Sequence, residues 1–142
     1  MSSVIRVLIV DDHAIVQQGL AAIINEESDM TVVGQAKNGN EAIALFRQAQ
    51  PDVTLMDLRM PEMGGVEAIS IICAEFKAAR VMVLTTYDGD EDIYQGLRAG
   101  AKGYLLKDCR PGDLRTAIRT IYGGQQYIPS NVAAKLVQRM NH

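Results

Sequence analysis

The chain has 142 residues, 48% of them apolar and 22% charged, with no Trp and with 17 acidic against 14 basic side chains for a net charge of −3. That length suffices for one domain burying about two thirds of its unfolded surface without disulfides or metals, and the balanced composition sets aside disordered and fibrous classes. The negative charge argues against nucleic-acid binding as the main task of these residues, and no stretch approaches the roughly 18 apolar residues of a membrane span.

Residues 6–10 form a strand-like apolar run that ends on Asp11-Asp12, after which Val16, Leu20, Ile23 and Ile24 share one helical face. A second run over 31–36, interrupted by Thr31 and Gln35, reads as an edge strand, and Ala42, Leu45, Phe46 and Ala49 follow on a helix face. The third run, 53–56, stops at Asp57, because Leu58-Arg59-Met60-Pro61-Glu62-Met63-Gly64-Gly65 is too turn-rich to extend it. Val66, Ile69, Cys73 and Phe76 then return to helical period. A fourth run, 80–84, is closed by Thr85 and leads to a weaker helix over 90–99 that offers Ile93 and Leu97 to a core. Gly96 inside that helix costs up to about 1 kcal/mol relative to Ala, so this helix is expected to be the most mobile. The fifth run, 103–106, ends at Lys107 and is followed by Leu114, Ala117, Ile118 and Ile121 on one face before Gly123-Gly124 stops the pattern. Residues 1–124 thus read as the domain. Residues 125–142 read as a linker in which Pro129-Ser130 opens a short amphipathic helix, with Ala133, Leu136, Val137 and Met140 on one face, leading out of it.

Five alternating βα units with right-handed crossovers predict an α/β doubly wound, flavodoxin-like fold: a parallel five-stranded sheet in order 2-1-3-4-5 with helices on both faces. The switch point then lies between strands one and three, where Asp11, Asp12 and Asp57 converge. The amino terminus shows no basic region followed by an apolar core, so a cytoplasmic location is expected.

Three carboxylates in one crevice relieve their repulsion by keeping a proton or by binding a hard cation, and magnesium suits such oxygen ligands. An acidic residue ahead of a helix is also a common N-cap, and for Asp12 alone the two readings are about equal. Lys107, from the fifth strand's end, is a candidate counter-ion for a carboxylate or a transferred phosphoryl group, and Thr85 offers a hydroxyl to the same rim. His13 reads as a helix-start residue outside the site. Cys73 and Cys109 lack metal-ligand spacing and read as free thiols, and Gly100-Ala101-Lys102-Gly103 lacks the spacing of a nucleotide-binding loop.

Val10-Asp11-Asp12-His13, Asp57-Leu58-Arg59-Met60-Pro61 with Gly64 and Gly65, Leu84-Thr85, and the run from Gly100 to Lys107 together resemble the receiver domain of a two-component response regulator, of the CheY-like fold. Thr86-Tyr87-Asp88, Lys107-Asp108 and the tail from Tyr122 are most similar to the NarL/FixJ-type transcriptional regulators. The resemblance implies that Asp57 is the phosphoacceptor, served by a sensor histidine kinase, and that Asp11, Asp12, Asp57 and the Arg59 backbone carbonyl hold Mg2+. It further implies that Thr85 and Lys107 contact the phosphoryl group, that Arg59 and Tyr87 modulate its lifetime, and that Thr85 and Tyr104 form a switch acting on helix four, strand five and helix five. Such a domain catalyses only its own phosphorylation and dephosphorylation and is not otherwise an enzyme. Transcription would be controlled through a C-terminal helix-turn-helix domain absent from this chain, and a homodimer could form through the switch surface or through helices one and five. A stand-alone phosphorelay carrier is an alternative. A Mg2+-dependent aspartyl-phosphate phosphohydrolase is less well matched, since it places a general-acid Asp two residues after the nucleophile, where this chain has Arg59. Many receivers place Pro after the site lysine, across a cis bond; here Asp108 follows, so either that peptide is an unusual cis bond or the loop differs.

Overall fold

The computed structural model describes residues 4–86 and 90–141. Strands β1 (Ile5–Val10), β2 (Met30–Ala36), β3 (Val53–Met56), β4 (Val81–Thr85) and β5 (Gly103–Leu106) alternate with helices α1 (Ala14–Asn25), α2 (Gly39–Ala49), α3 (Gly65–Glu75), α4 (Asp90–Ala99) and α5 (Pro111–Tyr122), and α6 (Ser130–Met140) follows. The strands pair in parallel in the order β2-β1-β3-β4-β5, as the sequence predicts. Because successive strand residues point to opposite faces, the sheet feeds two cores. Leu8, Val10, Met56, Val81, Val83 and Tyr104 pack beneath α2, α3 and α4. Ile9, Val53, Leu55, Met82, Leu84 and Leu105 pack beneath α1 and α5. The central strands β1, β3 and β4 are therefore buried on both sides, while β2 at the edge is only partly covered. No helix among the described residues is long and apolar enough to cross a membrane.

Two features of the β5 side differ from the sequence reading. The last helix does not lead away from the domain. Tyr127 forms a parallel bridge to Gly103, accepting a hydrogen bond from the Tyr104 amide at 2.9 Å and donating to the Lys102 carbonyl at 3.2 Å. The β5 edge is thereby partly covered, which blunts it as a template for pairing with another chain. The helix α6 then lies against α4: Val132 is 2% exposed, Leu136 packs on the same core, and the Arg139 guanidinium sits 4.4 Å from the centre of the Tyr94 ring. Its docked face runs through Val132, Leu136 and Arg139, whereas Val137 and Met140, assigned to the apolar face from sequence, are 57% and 75% exposed. The hydrophobic pattern is shifted because Arg139 docks by a cation–π contact that an apolar count does not register.

The second feature is Gly96. A Cβ at this position would come 2.5 Å from the Tyr104 hydroxyl, so the glycine that weakens α4 as a helix is what admits the buried Tyr104 ring beneath it.

Candidate functional site

The sheet's own hydrogen bonding continues one residue past three strand ends and fixes the site from below. The Asp11 amide donates to the Ala36 carbonyl of β2 at 3.0 Å, the Asp57 amide to Val10 of β1 at 2.9 Å, and the Lys107 amide to Thr85 of β4 at 2.8 Å. Each functional side chain thus hangs from backbone pinned to the neighbouring strand. Gln17 adds a clamp: its buried amide nitrogen donates to the carbonyls of Asp11 at 2.7 Å and Ala36 at 2.6 Å, tying the ends of β1 and β2 together. This polar residue on the inner face of α1 was not legible from the apolar pattern.

Asp11 is fully buried and Asp57 is 4% exposed, and the Lys107 ammonium bridges them, 2.5 Å from Asp11 Oδ2 and 3.3 Å from Asp57 Oδ2. Asp57 Oδ1 also receives the Arg59 amide, at 3.4 Å. Asp12 is partly exposed at the rim and does not cap α1; the N-cap is His13, with no side-chain cap bond. The capping alternative for Asp12 therefore falls away. His13, set outside the site on sequence grounds, lies within it: its amide donates to Asp11 Oδ1 at 2.8 Å, and its ring Nδ1 is 2.9 Å from Asp11 Oδ1 and 3.2 Å from Asp12 Oδ1. The ligand atoms of Asp11, Asp12, His13 and Asp57 all lie within 4.8 Å of one another. This is an oxygen-rich, highly anionic set, with the Lys107 ammonium close to Asp11 and Asp57. Such a donor set fits a small hard divalent ion.

Thr85, 5% exposed, closes β4 beside β3, and Tyr104 lies buried in β5 three residues before Lys107. No peptide bond among the described residues is cis, so the loop after Lys107 proceeds through an ordinary trans bond to Asp108. Tyr87 lies outside the described residues. Cys73 and Cys109 are free thiols, and burial pushes both upward in pKa, making them poor nucleophiles.

Burial raises the Asp57 carboxyl above the ordinary carboxylate value of 3.8; the Lys107 charge opposes this and the Asp11 charge reinforces it. Lys107 is itself pushed upward: burial alone would lower it, and is outweighed by the hydrogen bond to Asp11 and the charges of Asp57 and Asp11. A raised native pKa means that the folded chain holds a proton which the unfolded chain releases. Asp57 therefore makes the domain less stable as pH climbs from 3.8 through the raised value. Asp57→Asn removes this liability. In chelator, its thermal midpoint is expected to exceed wild type at pH 7, with an advantage that shrinks as pH falls toward 4; a midpoint below wild type at pH 7 would contradict this.

A five-stranded α/β domain that gathers an aspartate pair, a buried strand-end aspartate and a lysine at one edge is the design of response-regulator receivers. The model of the response regulator receiver domain family matches residues 7–119, and the chain belongs to that family. Over 94% of its length it is 43% identical to the uncharacterized transcriptional regulatory protein YxjL of Bacillus subtilis, and over 97% it is 41% identical to the transcriptional regulatory protein LiaR of the same organism. It spans 61% and 65% of the lengths of these two relatives. Among solved structures, a two-component response regulator of the LuxR family from Aurantimonas sp. matches with a TM-score of 0.90 at 33% identity, covering 99% of this chain and 100% of that one. The chain is the receiver domain of a NarL/LuxR-type response regulator.

Proposed function

We propose that Asp57 accepts a phosphoryl group from a phosphohistidine of a sensor kinase in a Mg2+-dependent reaction. The observation that carries this reading is the buried Asp57 carboxylate facing the Lys107 ammonium at 3.3 Å, with Asp11 and Asp12 beside it. An Asp57 oxygen attacks phosphorus, the P–N bond of the donor breaks, and the imidazole nitrogen leaves with the electron pair. Bound by Asp11, Asp12, Asp57 and the Arg59 carbonyl, Mg2+ would supply charge neutralisation and alignment of the phosphoryl oxygens. The chain's own part is to hold the nucleophile in a fixed, partly desolvated position, to offer Lys107 to the developing oxygen charge, and to present the Thr85 hydroxyl as a donor. The product adds about −1 to −2 charge beside existing carboxylates, a load that Lys107 and the metal together offset. Acyl phosphates hydrolyse, so the signal ends itself, and Arg59 and Tyr87, two residues beyond Asp57 and Thr85 in the sequence, are the residues proposed to tune its lifetime.

The output is a changed surface. Thr85 moves toward the phosphoryl group and Tyr104 follows, shifting the face formed by α4, β5 and α5. The close fit of Gly96 over Tyr104 supports this coupling, because motion of the ring must be answered by α4. Structures with and without beryllofluoride in which Tyr104 and α4 coincide would overturn it. The names of the relatives, and the share of their length that this chain spans, support transcriptional control through a DNA-binding domain outside residues 1–142, with a second copy of the regulator as partner at paired half-sites. A gene product without a helix-turn-helix segment would overturn that part. The central test is intact-mass measurement after incubation with acetyl phosphate and Mg2+. Wild type is expected to gain one phosphoryl mass and Asp57→Ala none; equal labelling of both would refute Asp57 as acceptor.

A further inference from the structure

His13 has no role in the chemistry above, yet its ring occupies the pocket. Ligands sharing one small divalent ion at about 2.1 Å in octahedral array lie about 3.0 Å apart when adjacent and about 4.2 Å apart when opposite. The His13 Nδ1 separations of 2.9 Å from Asp11 Oδ1 and 3.2 Å from Asp12 Oδ1 are those of adjacent ligands, whereas the 4.8 Å within which the whole set lies is about 0.6 Å wider than the opposite-ligand span, so the set must draw in by that much around an ion. We infer that His13 is a protein ligand of the ion site, and that its nitrogen makes the site favour first-row transition ions such as Mn2+ and Co2+ over Mg2+. The inference rests on the reading of this pocket as a divalent-ion site.

A ring N–H bridging two carboxylates would give similar distances, so the spacing needs support from the surroundings. Asp11 Oδ1 already accepts the His13 amide at 2.8 Å, so the ring is not needed to satisfy it. The His13 side chain is 63% exposed, and a hydrogen bond made in water contributes little to holding the fold. Nor does the side chain cap α1, whose N-cap position it occupies without a side-chain bond. What the amide bond does achieve is to anchor the residue at the pocket's edge, with ring Nδ1 turned toward the two carboxylates. Imidazole suits Mn2+, Co2+ and Zn2+, whereas Mg2+ prefers oxygen ligands and retains its waters, so the two classes of ion should differ in how much they depend on this side chain.

Isothermal titration of the intact chain with MgCl2, MnCl2 and CoCl2, on wild type, His13→Ala and His13→Gln, separates the possibilities. The Gln variant keeps a donor for the carboxylates but has no imidazole nitrogen. Both variants are expected to lose about tenfold or more in Co2+ affinity while Mg2+ affinity changes by less than about threefold. Pulsed electron paramagnetic resonance of the Mn2+-loaded wild type is expected to show nitrogen modulation that both variants lack, which also excludes His142, the other histidine, as its source. Equal losses for Mg2+ and Co2+, retention of Co2+ affinity by His13→Gln, or no nitrogen modulation in wild type would overturn the assignment. Absence of any divalent-ion binding by wild type would remove the ion-site reading as well; Co2+ and Mn2+ binding indifferent to His13 would remove this inference alone.

Discussion

Lys107→Met is expected to lower the stability of the metal-free domain by about 3–5 kcal/mol at neutral pH, the size of effect seen when one partner of a buried ion pair is removed. The Lys107 side chain is 7% exposed and stands between Asp11 and Asp57, which are almost wholly out of water. Without the ammonium, the two buried carboxylates face each other with the positive charge between them removed. Asp57, whose carboxyl burial already raises, then holds its proton more tightly still, so the variant regains stability as the solution is acidified. Urea unfolding in chelator at pH 7 and pH 5 checks both parts: the gap to wild type is large at pH 7 and narrows at pH 5. Added Mg2+ narrows it as well, since an ion that binds only the folded chain stabilises it by mass action. A gap that is small at pH 7, or that does not respond to pH, would mean that Lys107 is not what holds Asp57 charged.

Much of this arrangement is legible in the chain because strand ends are legible. The runs ending at Asp11, Asp57 and Lys107 are nearly continuously apolar, as strands buried on both faces must be, and the first polar residue of each marks the sheet's carboxyl edge. The sheet order and the juxtaposition of Asp11, Asp12, Asp57 and Lys107 follow from that. What escapes are residues whose type understates their position. Gln17 is not among the apolar residues that mark the inner face of α1, yet it buries its amide to tie two strand ends, a role set by three-dimensional neighbours and not by period. His13 reads as the start of a helix, but its amide binds Asp11 and its ring Nδ1 turns back toward the same carboxylate. Gly96 reads as a defect in α4 until Tyr104 is seen beneath it. The docked face of α6 is displaced by one position because Arg139 and Tyr94 form a contact across elements that a one-dimensional pattern does not contain.

Gly65→Ala tests how firmly the site depends on such a close approach. A Cβ at Gly65 would run into the backbone carbonyl of Asp57 and come 2.9 Å from the Leu58 Cα, while the Gly65 amide is bound to the Leu58 carbonyl at 3.0 Å. The obstruction is backbone on both counts, so no side chain can rotate away; either α3 lifts from the loop or the loop carrying Asp57 shifts. Overpacking of this kind destabilises by about 1–3 kcal/mol, and the upper part of that range is expected here. The functional loss should be larger in proportion, because a shift of about 1 Å in a reacting group can slow a reaction by on the order of 100-fold. On the proposed reading, phosphoryl uptake from acetyl phosphate is expected to fall by at least about tenfold at a temperature where the variant remains folded. Gly19→Ala supplies the opposite sign. That glycine lies within α1 with nothing within 4 Å of a built Cβ, so alanine there should stabilise by up to about 1 kcal/mol and leave uptake unchanged. If Gly65→Ala behaved like Gly19→Ala, the contact between the start of α3 and Asp57 would not be what positions the carboxylate, and the sheet hydrogen bond from the Asp57 amide to Val10 would have to do so alone.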